Sequence, residues 1–167
     1  MAPPRLPTHD YSAPSAYLVT IVTHARRAVL GCTSPSTPLV ELTEVGELVL
    51  RCWLGLPQKF PAVALDVFVV MPNHFHGIVL LNATPDCSSP VSLLAVMHWF
   101  KTMTSTGYLN GVREQRWPSV GGHLWQRGYY DRVIRSDSEL IAIREYIVGN
   151  PGALWERAGR MRRNQIG

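Results

Sequence analysis

Two histidines stand two residues apart in the segment MPNHFHGIVLL, at His74 and His76. Side chains alternate along a strand, so both imidazoles leave one face and Phe75 leaves the other. A neutral imidazole offers a ring nitrogen to a divalent ion. Taken alone, such a pair reads as two ordinary surface histidines. Near the C-terminal end, Tyr146 and Asn150 are four residues apart in REYIVGNP, so on a helix they share one side. Taken alone, these are a rim tyrosine and a helix-ending asparagine. Together, His74, His76 and Asn150 would make a neutral donor set of two nitrogens and one oxygen. With no carboxylate it would hold an ion weakly and leave positions open. Mg²⁺ or Mn²⁺ completed by phosphate oxygens and water suits it better than a closed zinc site. A phenol beside such an ion is a candidate nucleophile toward a phosphate.

Strands and helices must bring these groups together. Tyr17–Thr23 (YLVTIVT) is β-branched and apolar and reads as a strand. Leu39, Leu42, Val49, Leu50, Trp53 and Leu54 recur at helical spacing, which predicts an amphipathic helix over 39–55 capped by Thr37 with Pro38 at its first position. Residues 63–81 read as a hairpin turning at MPN (71–73), and Ser89-Pro90 starts a second helix over 91–107, ended by Gly107. Residues 109–128 read as an irregular loop rich in glycine and tryptophan, and 129–135 as a fourth strand. Ser136 followed by Glu139 is a capping box for a last helix from 137 to about Gly149. Asn150 precedes Pro151, which disfavours helix at that point. Leu140, Ile141, Ile143, Ile147 and Val148 form the apolar arc of this helix, with Tyr146 and Asn150 at its edge. The order βαββαβα predicts an α+β domain: a four-stranded antiparallel sheet with helices mainly on one face.

The 167 residues are enough for one domain, and 46% apolar with 17% charged excludes a disordered chain. No run approaches the roughly 20 apolar residues of a bilayer span, and the N-terminus has no apolar signal core. Residues 1–15 read as a flexible arm and 156–167 as a basic tail. Cys32, Cys52 and Cys87 are odd in number and form no CxxC pair, which argues against a disulfide framework and fits a reducing cytoplasm. The net charge is +4, and 14 of the 16 basic residues are arginine. Arginine presents a fork of donors matched to phosphate oxygens. Much of the excess sits late: five arginines against two acids over 111–135, and four against one over 151–167. This permits nucleic-acid binding.

MPNHFHGIVLL resembles the His-hydrophobe-His segment of the single-tyrosine (Y1) transposases of the IS200-like superfamily. WQRGYYDRVIRSDSELIAIREYIVGNP resembles one branch of it, the REP-associated tyrosine transposases, and the resemblance spans roughly residues 16–155. It implies that His74, His76 and Asn150 hold a divalent metal, Mg²⁺ or Mn²⁺, and that Tyr146 is the nucleophile. Insertion-sequence members typically carry glutamine at the Asn150 position, and Asn150-Pro151 looks like the REP-associated branch. The resemblance further implies a ferredoxin-like or RRM-like sheet and a homodimer acting on hairpin-forming single-stranded DNA. The activity expected is a DNA strand transfer through a 5′-phosphotyrosine that conserves the bond energy for rejoining.

Other residues have possible parts in such a site. Arg127, Arg132, Arg135 and Lys101 are candidates to meet phosphates, and Trp125, like Trp117, to stack on unpaired bases or to anchor loops. Tyr11, Tyr17, Tyr108, Tyr129 and Tyr130 are rival nucleophiles. Rival functions are a domesticated hairpin-DNA binder that no longer transposes, a nickase of the replication-initiator type, and a structural metal module.

Overall fold

A computed structural model describes residues 15–34, 37–82, 91–119 and 121–149. The basic tail, Asn150, Cys87, Tyr11 and all of the expected arm except Ser15 lie outside these residues. The main sheet contains β1 (Ser15–Val22), β4 (Val63–Met71), β5 (His74–Leu81) and β6 (Tyr130–Ile134), all antiparallel, in the order β4-β5-β1-β6. Numbered among themselves, the four strands run 2-3-1-4, the ferredoxin-like arrangement expected from the sequence. Ser15, expected in the arm, opens β1 opposite Leu81.

Alternation along β1 sends Tyr17, Val19 and Ile21 into the larger core, where Phe68, Phe75, Trp53 and Phe100 meet them. Here α1 (Glu44–Leu54) and α3 (Leu93–Arg113) cover the sheet, with the short α2 (Leu56–Lys59) beside them. Pro57 sits in the first turn of α2, where its missing N–H is harmless. The opposite face is covered by α4 (Asp137–Gly149). Val67, Val69, Ile78, Ile134, Ile143 and Ile147 form the second, smaller core there, with Leu18, Leu80 and Leu140 at its edge. Among the described residues, no helix is long and apolar enough to cross a membrane.

The predicted helix over 39–55 is two elements. Thr37–Leu42 is a strand, β3, paired with β2 (Gly31–Ser34). The helix begins only at Glu44, capped by Thr43 rather than Thr37. Thr43 Oγ1 accepts from the Gly46 N–H at 3.1 Å and donates to the Val29 carbonyl at 2.6 Å. A Cβ at Gly46 would lie 1.9 Å from the Leu30 carbonyl oxygen, so the first turn is seated directly on the backbone before β2. Contacts distant in sequence therefore place the start, and the spacing of Leu39 and Leu42 misled.

The second helix also runs longer than expected, from an N-cap at Ser92 through Gly107 to Arg113. Gly107 does not terminate it: a Cβ there would be 2.7 Å from Leu48 Cδ2, so the glycine lets α1 and α3 approach. The last helix agrees with its reading. Ser136 Oγ accepts from the Glu139 N–H, while Glu139 accepts from the Arg135 N–H. Its apolar arc is narrower than predicted. Ile143 and Ile147 are buried and Leu140 partly so, but Ile141 and Val148 face solvent.

Candidate active site

The second face of the sheet carries His74, His76, Ile78 and Leu80 along β5, because these alternate with the core residues Phe75 and Val79. Across the sheet, His76 pairs with Thr20 of β1, and Thr20 pairs with Tyr130 of β6. Helix α4 packs over the Ile78–Leu18–Ile134 end of this face, and its C-terminal half leads toward the histidines. There the Tyr146 ring meets His76 edge-on, with centroids 5.9 Å apart, and the His76 and His74 rings are 4.8 Å apart. Tyr146 is 58% exposed. It is the one exposed tyrosine among the described residues: Tyr17 and Tyr108 are buried, and Tyr129 and Tyr130 are half-buried.

An ion pair sets where α4 lies. Asp66, in the irregular stretch of β4, accepts from Arg144 Nη2 at 2.5 Å and Nε at 3.2 Å, and from the Val67 N–H at 2.7 Å. Arg144 is one turn after Leu140 and two residues before Tyr146. The pair and the isoleucine stripe together fix the rotation of the helix that carries the phenol.

Each histidine is held through Nδ1. His74 Nδ1 is 2.7 Å from Asn73 Oδ1, and His76 Nδ1 is 2.7 Å from Thr20 Oγ1. Such partners fix ring orientation and leave Nε2 as the nitrogen available to a metal. Burial, aided by the Arg26 charge, lowers the His74 pKa. Burial and the neighbouring His74 lower that of His76 to about 4. Both rings are therefore neutral near pH 7, the form that ligates. The donor set fits an open divalent-ion site with two protein nitrogens. Among the described residues no third His, Cys, Asp or Glu joins them. Asn150, expected to complete the set, lies outside the described residues.

The candidate DNA contacts scatter. Trp125 is 5% exposed, packs on Phe100 and donates its indole N–H to Thr104 Oγ1 at 2.8 Å. It anchors the loop before β6 and offers no face to a base, contrary to the stacking role considered from sequence. Trp117 is likewise engaged, stacked on Tyr108 and bonded to Glu44. Lys101 Nζ donates to the Gln126 and Gly128 carbonyls at 2.9 and 2.6 Å. Two of its three donors thus close the same loop. Arg132 lies on the α4 side of β6, paired with Glu139 at 2.6 Å. Arg127 and Arg135 are exposed on the flanks of β6.

Sequence reasoning missed Thr20, Asn73 and the Asp66–Arg144 pair. A threonine on the outer face of an apolar strand and an asparagine beside a histidine were available signals. Asp66 was visible only as a charge interrupting an apolar run.

A family model described as IS200-like transposase matches residues 58–150, which contain both β5 and α4. A protein of Haemophilus influenzae, described only as uncharacterized, is 31% identical over 164 residues, covering 92% of this chain and 88% of its own. Among solved structures, a REP-associated tyrosine transposase bound to a REP hairpin superposes with a TM-score of 0.61 at 19% identity, over 90% of this chain and 73% of that one. A putative transposase from Deinococcus radiodurans gives 0.52 at 18% identity, over 88% and 97%. At these identities the two structures establish the shared fold. The family model covers more than half of the sequence, and on that ground the chain belongs to the IS200-like Y1 transposases.

Proposed function

We propose that this protein is a strand transferase for single-stranded, hairpin-forming DNA of the REP kind, with Tyr146 as nucleophile. The Tyr146 oxygen attacks a phosphodiester phosphorus and the bond to the 3′-oxygen breaks. The phenol loses its proton and the departing 3′-oxygen gains one, leaving a 3′-hydroxyl and a 5′-phosphotyrosine. The exchange is between two phosphodiesters, so a second 3′-hydroxyl can reverse it and join strands without a nucleotide cofactor. The observation that carries this reading is the convergence of Tyr146 from α4 with His74 and His76 from β5 on one face of the sheet. Membership of the transposase family, and the REP hairpin bound to a structural neighbour, support the substrate class.

His74 and His76 would hold a divalent ion through Nε2, with Asn150 as the third ligand. When bound, Mg²⁺ or Mn²⁺ supplies Lewis-acid polarisation of the scissile phosphate. Thr20 and Asn73 hold the two rings in place, and the Asp66–Arg144 pair aims the phenol. Tyr146 meets the His76 of its own chain, so bringing the nucleophile to the histidines needs no second copy. Perfect duplex holds its phosphates in a stiff helical path, whereas a single-stranded flank presents a flexible one. The test is covalent adduct formation, with Mn²⁺ present, on a labelled hairpin with a single-stranded extension. Adduct is expected there and not on the same sequence annealed to its complement. Equal cleavage of both at matched salt would overturn this reading in favour of a duplex nuclease. Binding of the hairpin with no cleavage under any metal would favour a domesticated binder.

A further inference from the structure

The turn leaving β1 is strained. Ala25 and Arg26 both have positive φ, at 53° and 54°, a conformation that side-chain-bearing residues rarely adopt. Glycine at either position would relieve it. Surrounding hydrogen bonds hold the turn closed. The Arg26 N–H donates to the Thr23 carbonyl at 3.0 Å, Thr23 Oγ1 donates to the Arg27 carbonyl at 2.8 Å, and Asn73 Nδ2 donates to the Arg26 carbonyl at 3.3 Å. Asn73 is the residue whose Oδ1 orients His74. One side chain thus links the strained turn to the histidine site. Strain kept at a non-glycine residue by an over-determined turn points to a use for the side chain it presents. That side chain is an exposed arginine, and the asparagine that holds its carbonyl is the one that orients His74.

Among the described residues Arg26 forms no ion pair with a carboxylate. The stretches 15–34, 67–82 and 117–130 contain no aspartate or glutamate. They meet at this end of the sheet through the Thr23 N–H to Asn73 and the His24 N–H to Leu124 carbonyl bonds. His24 and His123 pack edge-on beside the turn, with centroids 5.9 Å apart. An arginine fork that no carboxylate of the described residues occupies suits the oxygens of a phosphodiester.

Building on the strand-transfer reading, we propose that Arg26 is a phosphate-binding residue of the site: the strained turn holds its guanidinium at the His74 edge, where it grips a backbone phosphate flanking the one that Tyr146 attacks. The contact is to backbone, so it positions the strand and carries no sequence preference.

The test uses the full chain, a hairpin oligonucleotide with a single-stranded extension, and Mn²⁺. Arg26→Ala should weaken hairpin binding and slow adduct formation about tenfold or more at low salt. It should also flatten the dependence of log affinity on log salt by about 0.7, the value of one single-strand phosphate contact. Arg26→Lys should restore the salt slope and only part of the rate, because a point charge replaces a fork. Arg51→Ala, an exposed arginine on α1 beyond the other face of the sheet, should change neither. Mn²⁺ affinity and melting temperature should not fall in Arg26→Ala. An unchanged salt slope in Arg26→Ala would overturn the proposal, as would loss of Mn²⁺ binding or folding in step with the rate. A wild type that forms no adduct, yet shows the slope change with Arg26→Ala, would uphold the phosphate contact and refute strand transfer.

Discussion

Replacing Arg144 with methionine keeps most of the aliphatic stem and removes the guanidinium from Asp66. The Asp66 side chain is 11% exposed and that of Arg144 43%. Stripping a fully buried partner costs about 3–5 kcal/mol, whereas an exposed pair is worth about 0–1. A nearly buried carboxylate facing a half-exposed arginine falls between, and the Val67 N–H still donates to it. A loss of about 2 kcal/mol is expected, which in a chain of this size lowers the melting temperature by about 4–8 °C. Ile143 and Ile147 would still dock α4, but its rotation would loosen two residues before Tyr146. Adduct formation should therefore fall about tenfold at temperatures where the variant is fully folded, since small misplacements of a reacting group are costly. In Asp66→Ala/Arg144→Met no buried charge is stranded. Its stability loss should fall short of the sum of the two single losses by about 1 kcal/mol or more, while activity should stay low. Calorimetric melting and single-turnover adduct assays on the four proteins read both quantities. Additivity within about 0.5 kcal/mol would show that the pair does not couple, and a wild-type adduct rate in Arg144→Met that it does not aim the phenol.

Thr20→Val conserves shape and removes the partner of His76 Nδ1. Titration calorimetry should show Mn²⁺ affinity about tenfold weaker with the fold intact, and unchanged affinity would contradict the orienting role. The folded pKa of His76, about 4, lies below its ordinary value of 6.5. The stability of the metal-free protein should therefore be full above pH 6.5 and fall as pH drops toward 4, where the folded state also takes the proton. The loss over that window is about 3 kcal/mol. Urea denaturation at pH 7 and pH 4.5 should show His76→Gln losing about 2–3 kcal/mol less than wild type, and parallel losses would contradict it.

Most of the main sheet and the last helix was legible in the sequence because local signals agreed there. The β-branched, apolar run YLVTIVT, the MPN turn and the Ser136–Glu139 box each point to the element that forms. The β2–β3 hairpin was not legible. Its helix-like spacing is overruled by Thr43 and Gly46, whose partners Val29 and Leu30 are remote from the helix start. Gly107 read as a stop because a glycine that permits helix contact looks the same in sequence as one that ends a helix. Within the site, the period of a strand predicted His74 and His76 on one side, and helix spacing marked Tyr146. What held them in place was hidden: Thr20 and Arg144 act across the sheet, on partners 56 and 78 positions away. Trp125 shows the converse, since an aromatic in a basic loop has the composition of a base-stacking residue and the burial of a core one.

Strand transfer by this protein stands or falls on whether Tyr146 forms the covalent bond to DNA. Wild-type protein and Tyr146→Phe are incubated with the extended hairpin and Mn²⁺, and the products are separated under denaturing conditions and mapped by mass spectrometry. Phenylalanine removes one oxygen and almost no packing area, so hairpin binding should persist. An adduct is expected in wild type, mapped to Tyr146 and sensitive to EDTA, and none in the variant. An adduct in Tyr146→Phe, or one mapped in wild type to Tyr130 or another tyrosine, would contradict it.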